Sequence, residues 1–419
     1  MEKYDVVVAG GGPAGMMAAG CAAGQGCRVL LLEKMDRCGR KLCLTGKGRC
    51  NLTNIKNWNE FADHVHTQSD FFRSAFWGFS NQAVMDFFAS IGIETVKERG
   101  DRVFPACQDA RKVADALVKW MKGQGVKLYV GARVNRLEYA EGRIQSLYYT
   151  KNGQTFGVKA GAYVLATGGC SYPATGSTGD GYVLAEAVGH TITDCFPSLT
   201  ALMPEAYDPR LQGITLINVG LSLLVNGQSV REEFGELAFT DLGIEGPLGL
   251  RLSRQAVIAL RSGAKVSLAL NLKPALSCGQ LKDRLQRDCI SFGLEPLEIF
   301  LKHYLPRALI RPFINAMSLK PGEQARKLAP AQSERLLRGL RHWTFPVVRY
   351  GGFERAVVTA GGISLKEIQK KDMRSKIAKN LFFAGEVIDL DGDTGGYNLQ
   401  IAFSTGMLAG KKTAETVAD

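Results

Sequence analysis

The chain has 419 residues, 46% hydrophobic and 22% charged, which suits two or three globular domains with sizeable cores. No apolar run approaches the roughly 18 residues that would cross a bilayer, which excludes a membrane-spanning helix. The formal net charge of +12 implies attraction to anionic cofactors, substrates or nucleic acid, but the basic residues are dispersed and no RRM, KH or zinc-finger signature accompanies them.

The first element in the chain is the apolar strand Val6-Val7-Val8-Ala9, followed by G-G-G-P-A-G. In a strand–glycine turn–helix, Gly10 makes the tight turn, Gly12 lets the backbone approach a pyrophosphate, and Gly15 lets helix and strand pack closely. Pro13 and Ala14 complete the turn and open a helix running to about residue 25. The anion is expected on the unpaired N–H groups of that helix N-terminus. A second strand, 28–32, ends at Glu33, about 18 residues beyond Gly15 and near the spacing of the acid that binds a ribose 2′-OH. A carboxylate there disfavours a 2′-phosphate, so FAD or NAD is expected rather than NADP. The apolar start is this strand and turn, so it is not read as a cleavable signal. A cytoplasmic location follows, with the ten cysteines reduced and mostly buried. Cys38, Cys43 and Cys50 cluster without a histidine or zinc spacing, so no metal is expected.

Segment 36–54, D-R-C-G-R-K-L-C-L-T-G-K-G-R-C-N-L-T-N, reads as a long loop suited to wrapping a phosphate-bearing cofactor. Helices are predicted at 70–77, 81–91 and 110–122. A meander of short strands follows at 127–130, 134–140 and 143–150, with a further strand at 155–159. Residues 163–167 form a buried strand ending in Gly168-Gly169, and T-G-D-G at 178–181 opens a helix over 182–188. From about Cys195 to Val348 alternating strands (199–203, 214–225, 238–240, 265–269) suggest a small β-barrel or sandwich, interrupted by a helical stretch over 278–340. Residues 380–384 form a last buried strand. It leads into Gly385-Glu386, D-L-D-G-D-T-G-G-Y-N-L-Q and a final helix over 398–417. This returning half-site selects flavin over nicotinamide. Glu386 is placed at a ribityl hydroxyl, and the last helix N-terminus at the isoalloxazine edge, where its dipole favours a reduced flavin anion.

Four segments carry a resemblance: 39–54, A-T-G-G-C-S-Y-P-A-T-G-S-T-G-D-G (166–181), T-A-G-G-I (359–363) and A-G-E-V-I-D-L-D-G-D-T-G-G-Y-N-L-Q-I-A (384–402). Over essentially its whole length the chain resembles the BaiN/RdsA-type FAD-dependent oxidoreductases, and through T-G-D-G it is distantly similar to fumarate-reductase flavoproteins. The resemblance implies an α/β fold: a discontinuous Rossmann-like FAD-binding domain (1–195 and 349–419), an inserted β-barrel (196–277 and 341–348) and a helical subdomain (278–340). It places FAD contacts at the residues named above, at Lys34, Arg40, Lys41, Thr45, Gly46, Arg49, Cys50 and Asn51, at Ala166, Thr167, Gly168 and Gly169, and at Gly395, Gly396, Tyr397 and Asn398.

The family's reactions include reduction of conjugated C=C bonds in 3-oxo bile-acid intermediates, reduction of a uridine in ribosomal RNA, and oxidation of aminoacetone. The first is the leading expectation, with NADH or NADPH as transient electron donor and a small substrate with an apolar body. Ribosomal RNA dihydrouridine synthesis and small-amine oxidation are the alternatives, with a non-enzymatic redox module as a further one. No stable protein partner is inferred. Tyr397, Cys50 and Tyr172 are the candidate proton donors; Lys47 and Arg49 are cationic donors to a phosphate or a substrate oxygen. Asp391 and Asp393 are expected to cap the last helix or order the glycine loop. The five histidines (64, 66, 190, 303 and 342) show no triad or metal pattern.

Overall fold

The computed structural model describes residues 2–418. Contacts divide the chain into two units, one running through Pro197 and resuming at Ala356, the other Ser198–Arg355. In the first, strand β1 (Glu2–Ala9) leads into helix α1 (Pro13–Gly24) and strand β2 (Val29–Glu33). Helix α2 (Ala110–Gly123) follows, then strands β3 (Lys127–Val130), β4 (Ala132–Ala140), β5 (Arg143–Lys151) and β6 (Gln154–Leu165). The chain returns through β7 (Leu381–Phe383) and ends in helix α3 (Tyr397–Ala418). Strand order is β3-β2-β1-β6-β5-β4, with β7 also on β6. The β1, β2, β3, β6 and β7 pairings are parallel, and Val6–Ala9 and Val29–Leu32 are buried on both faces, as helix-covered parallel sheets require.

Three readings of this region need correction. Residues 127–130 do not belong to the meander; they follow α2 and pair parallel with β2, as a strand after a crossover helix does. Residues 155–159 and 163–167 are not separate strands but parts of the 12-residue β6, which ends at Leu165. Gly161 lies in the gap between the two expected strands. A Cβ there would come within 2.7 Å of Val417, so the glycine lets the last helix approach the strand. β6 is shared along one edge: Gln154–Val158 take β5 and Tyr163–Leu165 take β7. Segment 36–54 is also not wholly loop, because Leu42–Leu44 forms a 3₁₀ turn and Thr45–Gly48 a helical one with Gly46 and Lys47 at positive φ.

The two distant halves meet through small residues. α1 is buried on nearly every side, and its backbone meets α3 at Gly406 and Gly410, whose added Cβ atoms would lie 2.3 and 2.4 Å from the carbonyl oxygens of Ala14 and Ala18. Glycines four apart on α3 thus let two helices touch backbone to backbone.

The second unit holds a closed six-stranded barrel of Leu202–Pro204, Ile244–Glu245, Gln228–Phe239, Thr215–Val225, Val266–Asn271 and Trp343–Tyr350. The strand expected at 199–203 starts later because Leu199 is left-handed (φ 53°), and 238–240 is only the end of a 12-residue strand. A helix spans Gly246–Arg261, where the sequence pattern predicts none. Its Gly246-Pro247 start resembles a turn, but proline is tolerated in a first helical turn. Leu281, Phe300 and Phe313 of the helical segment share one apolar core with Phe239, Trp343 and Phe345 of the barrel. No helix among the described residues is long and apolar enough to cross a membrane.

Candidate flavin site and the loop beside it

The glycines of the first turn each meet a specific steric demand. Gly10 sits at φ 106° and a Cβ on it would lie 2.3 Å from the Ala166 carbonyl oxygen; one on Gly15 would lie 1.9 Å from the Gly10 oxygen. Gly12 differs: a Cβ there meets nothing within 4 Å, and no side chain caps the start of α1. The helix N-terminus is therefore open at the position where a pyrophosphate would lie. Glu33 is pinned at the end of β2, its two oxygens accepting from the Gly11 and Met35 amides at 2.6 and 2.7 Å. Each oxygen retains a lone pair for a ribose hydroxyl.

The C-terminal half closes on the same turn. Gly385 (φ 74°) faces Ala14, and its amide donates to Thr405 Oγ1 at 2.9 Å. Glu386 is held by Lys41, whose Nζ donates to both carboxylate oxygens at 2.9 and 2.7 Å, and by the Thr359 amide at 2.8 Å. Thr359 Oγ1 in turn accepts from the Cys170 and Ser171 amides at 2.8 and 3.0 Å, fixing the loop after Gly168-Gly169. Thr167 Oγ1 is buried beside Gly181 without a partner. Gly396 (φ 103°) is required where Thr53 O would be 2.3 Å from a Cβ, and the Asn51 amide bridges Thr53 O, Val103 O and the Gly396 N–H in the orientation that satisfies both its ends. A glycine cradle, an open helix N-terminus and two pinned carboxylates thus fit a dinucleotide flavin: Glu33 for the ribose, α1 for the phosphates, Glu386 and the start of α3 for the ribityl and ring end.

The sequence profile of the HI0933-like protein Rossmann domain matches residues 4–412. The chain belongs to this HI0933-like family. A relative in Clostridium scindens, a 3-dehydro-bile acid delta(4,6)-reductase, is 30% identical over 417 residues, covering 99% of this chain and 100% of the relative. A ribosomal RNA dihydrouridine synthase of Escherichia coli is 29% identical over 411 residues, covering 97% of this chain and 96% of that one. In fold the chain is similar to a 3-ketosteroid delta1-dehydrogenase from Sterolibacterium denitrificans (TM-score 0.57, 15% identity, 99% and 100% of the two chains). It is also similar to a 3-ketosteroid-delta4-(5alpha)-dehydrogenase from Rhodococcus jostii (TM-score 0.56, 16% identity, 99% and 97%).

Several of the HI0933-like chain's basic residues have intramolecular partners. Lys34 donates to Asp180 and Thr178, Arg40 pairs with the exposed Asp36, and Arg49 bonds Glu98 and Gln108 while lying 4.1 Å over the Phe104 ring. Burial drives the Asp180 carboxyl up, but the hydrogen bond and charge of Lys34 outweigh it and hold the group below the usual range. Thr45 Oγ1 donates to Leu42 O. The Asn398 amide clasps the glycine loop, bonding Gly392 N and O and Asp393 O.

The expected proton donors are placed unequally. Tyr172 is left-handed (φ 54°) and part-exposed. Tyr397 is 3% exposed, its ring edge-on to Phe61 at 4.8 Å and stacked on His64 at 4.5 Å. Cys50 is fully buried, and burial pushes its thiol up to about 12; Cys38, against Glu33, is likewise raised by burial to about 12.

Those two thiols predict a steep alkaline limb. Their folded pKa values exceed the ordinary value of 9.0, so their contribution is fully present below about pH 9 and is lost as pH rises from there toward 12. Each thiol is expected to remove about 1.4 kcal/mol per pH unit across that window. Urea midpoints at pH 8.5, 9.5 and 10.5 check this. The Cys38→Ala/Cys50→Ala double variant should show a visibly flatter decline.

Sequence reading gave no role to Thr359, the first residue of the T-A-G-G-I segment, and did not join His64 and His66 to Asp393. Asp393, buried in the loop before α3, accepts from His64 Nδ1 at 2.9 Å and His66 Nε2 at 3.1 Å. H-x-H sixty residues into the chain, more than 300 positions from its aspartate, gives no local signal. Among the described residues no group of three His, Cys, Asp or Glu side chains is arranged to hold a metal.

Proposed function

We propose that this HI0933-like protein is an FAD-dependent reductase of a C=C bond conjugated to a carbonyl in an apolar, 3-oxo-steroid-like substrate, with NADH or NADPH as electron donor. One observation carries the reading: a bile-acid delta(4,6)-reductase aligns with the chain end to end, insertion included. FAD, when bound, would supply the hydride that reduces the enone. The chain's own part is to hold adenylate and phosphates at Gly10–Gly15 and Glu33, fix the ribityl end at Glu386, and direct the N-terminal dipole of α3 at the charge that develops on the ring. The ten free cysteines support a reducing, cytoplasmic setting. Purified protein should oxidise NAD(P)H on addition of a 3-oxo-4,6-diene with saturation kinetics. Absence of turnover on any enone, with the flavin bleached normally by NAD(P)H, would discard the reading.

One observation favours ribosomal RNA as a second substrate reading. Residues 278–341 carry 12 Lys and Arg against 6 Asp and Glu, so half the net charge of +12 lies in this segment. Beside it, a cavity of about 740 Å³ is lined by Tyr207, Arg335, Arg338, His342 and Trp343, among others. Affinity for ribosomal RNA that falls steeply with salt, together with loss of dihydrouridine in a deletion strain, would move the assignment to RNA.

A further inference from the structure

We propose that His64, oriented by Asp393, delivers the proton that completes the reduction. This rests on the enone reading above and names the acid for that reaction. Asp393 has a side chain only 2% exposed and takes a ring nitrogen of each histidine. A carboxylate can only accept, so both nitrogens carry hydrogen. This fixes His64 as the Nδ1–H tautomer when neutral, with its lone pair on Nε2, and His66 as the Nε2–H tautomer. The backbone clamps the same arrangement: Asp393 N donates to His64 O at 2.9 Å, His66 N to Asp391 O at 2.8 Å, and Val65 bridges Gly392. A buried carboxylate behind an imidazole holds the ring in one orientation and one tautomer.

The position fits the role. The His64 ring stacks on Tyr397, the first residue of α3, directly after Gly395-Gly396. Its side chain is 26% exposed, whereas Cys50 is fully enclosed and Tyr397 lies beneath His64 and against Phe61. Asp393 is the ionisable side chain bonded to both rings and Tyr397 the one stacked on His64; the backbone carbonyl of Asp391 accepts from His66 N, and Asp63, which precedes His64, is exposed. In the step, hydride from the reduced flavin forms a C–H bond at the β-carbon. The π pair of the C=C bond moves toward the carbonyl as an enolate. The enolate pair then takes the Nε2 proton of the His64 imidazolium at the α-carbon, and the N–H electrons stay on nitrogen. His64 regains its proton from water, and NAD(P)H restores the flavin. His66 is a positioning residue acting through Asp393.

With only five histidines, ¹⁵N-histidine spectra of the full-length, FAD-loaded protein resolve the tautomers directly, His64 being assigned by its loss in His64→Gln. The expected result is Nδ1–H for neutral His64 and a changed tautomer ratio in Asp393→Asn. In rapid mixing, H64Q should reoxidise its flavin with enone about 100-fold or more slowly, while its bleaching by NAD(P)H stays within about threefold of the parent. D393N should show a similar defect with a shifted pH profile. An Nε2–H tautomer for His64, or enone reoxidation within threefold of the parent in H64Q, overturns the proposal. If H64Q fails to fold, His64→Asn supplies the assignment, and the parent spectra and D393N decide. Lack of enone turnover in the parent, with the tautomers as stated, instead sinks the reductase reading and this role with it.

Discussion

Gly12→Asp is expected to fold as well as the parent and to purify without yellow colour. Gly12 has an ordinary extended backbone (φ −75°, ψ 179°) and open space around its missing side chain, so an aspartate adds no clash. Aspartate is also a favourable residue at a helix N-cap, and the unliganded variant should gain about 0.5–1 kcal/mol from capping α1. The same carboxylate would stand where the pyrophosphate belongs. Two unit charges about 4 Å apart at an effective dielectric near 20 repel by about 4 kcal/mol, several hundredfold or more in FAD affinity. Thermal melts should therefore be unchanged or raised without FAD and lose their FAD-induced shift. A yellow G12D protein with parental affinity would show that the open start of α1 is not the phosphate seat.

The second large effect is expected at Gly406→Val. The new Cβ would lie 2.3 Å from the Ala14 carbonyl oxygen, which is backbone of a helix buried on nearly every side and cannot swing away. Overpacking commonly costs 1–3 kcal/mol; here the obstacle is main chain, so about 3 kcal/mol or more is expected, a large share of ordinary domain stability. Because α1 carries the glycine turn and α3 follows the Gly395-Gly396 loop proposed for the ring end, separating them should also abolish FAD uptake. Urea denaturation followed by circular dichroism reads the first effect and flavin fluorescence the second. A variant with parental midpoint would mean that the two helices are not in contact.

These two glycines illustrate what was legible in the sequence. The first turn could be read because its demands are local: strand, tight turn, helix and acid all fall within 33 residues, and each residue type answers to one constraint. The returning strand and its Gly-Glu ending were legible for the same reason. The 12-residue β6 reads as two strands with Gly161 in the gap between them, whereas Gly161 serves a contact with α3 some 250 residues away. The helix at 246–261 was masked by its Gly-Pro start. The His64–Asp393–His66 grouping had no local trace, because its spacing is set by where the segment at 64–66 meets the loop before α3. Periodicity reports which face of an element is buried; it does not report which distant loop the element meets.

In the proposed arrangement the early glycine turn and the late strand–helix pair enclose one flavin dinucleotide. Its most direct test is titration of the protein, stripped of bound flavin, with FAD, followed by the flavin visible spectrum. The expected result is a perturbed spectrum that saturates at one FAD per chain and is absent in G12D. A spectrum indistinguishable from free FAD at every protein concentration would contradict it.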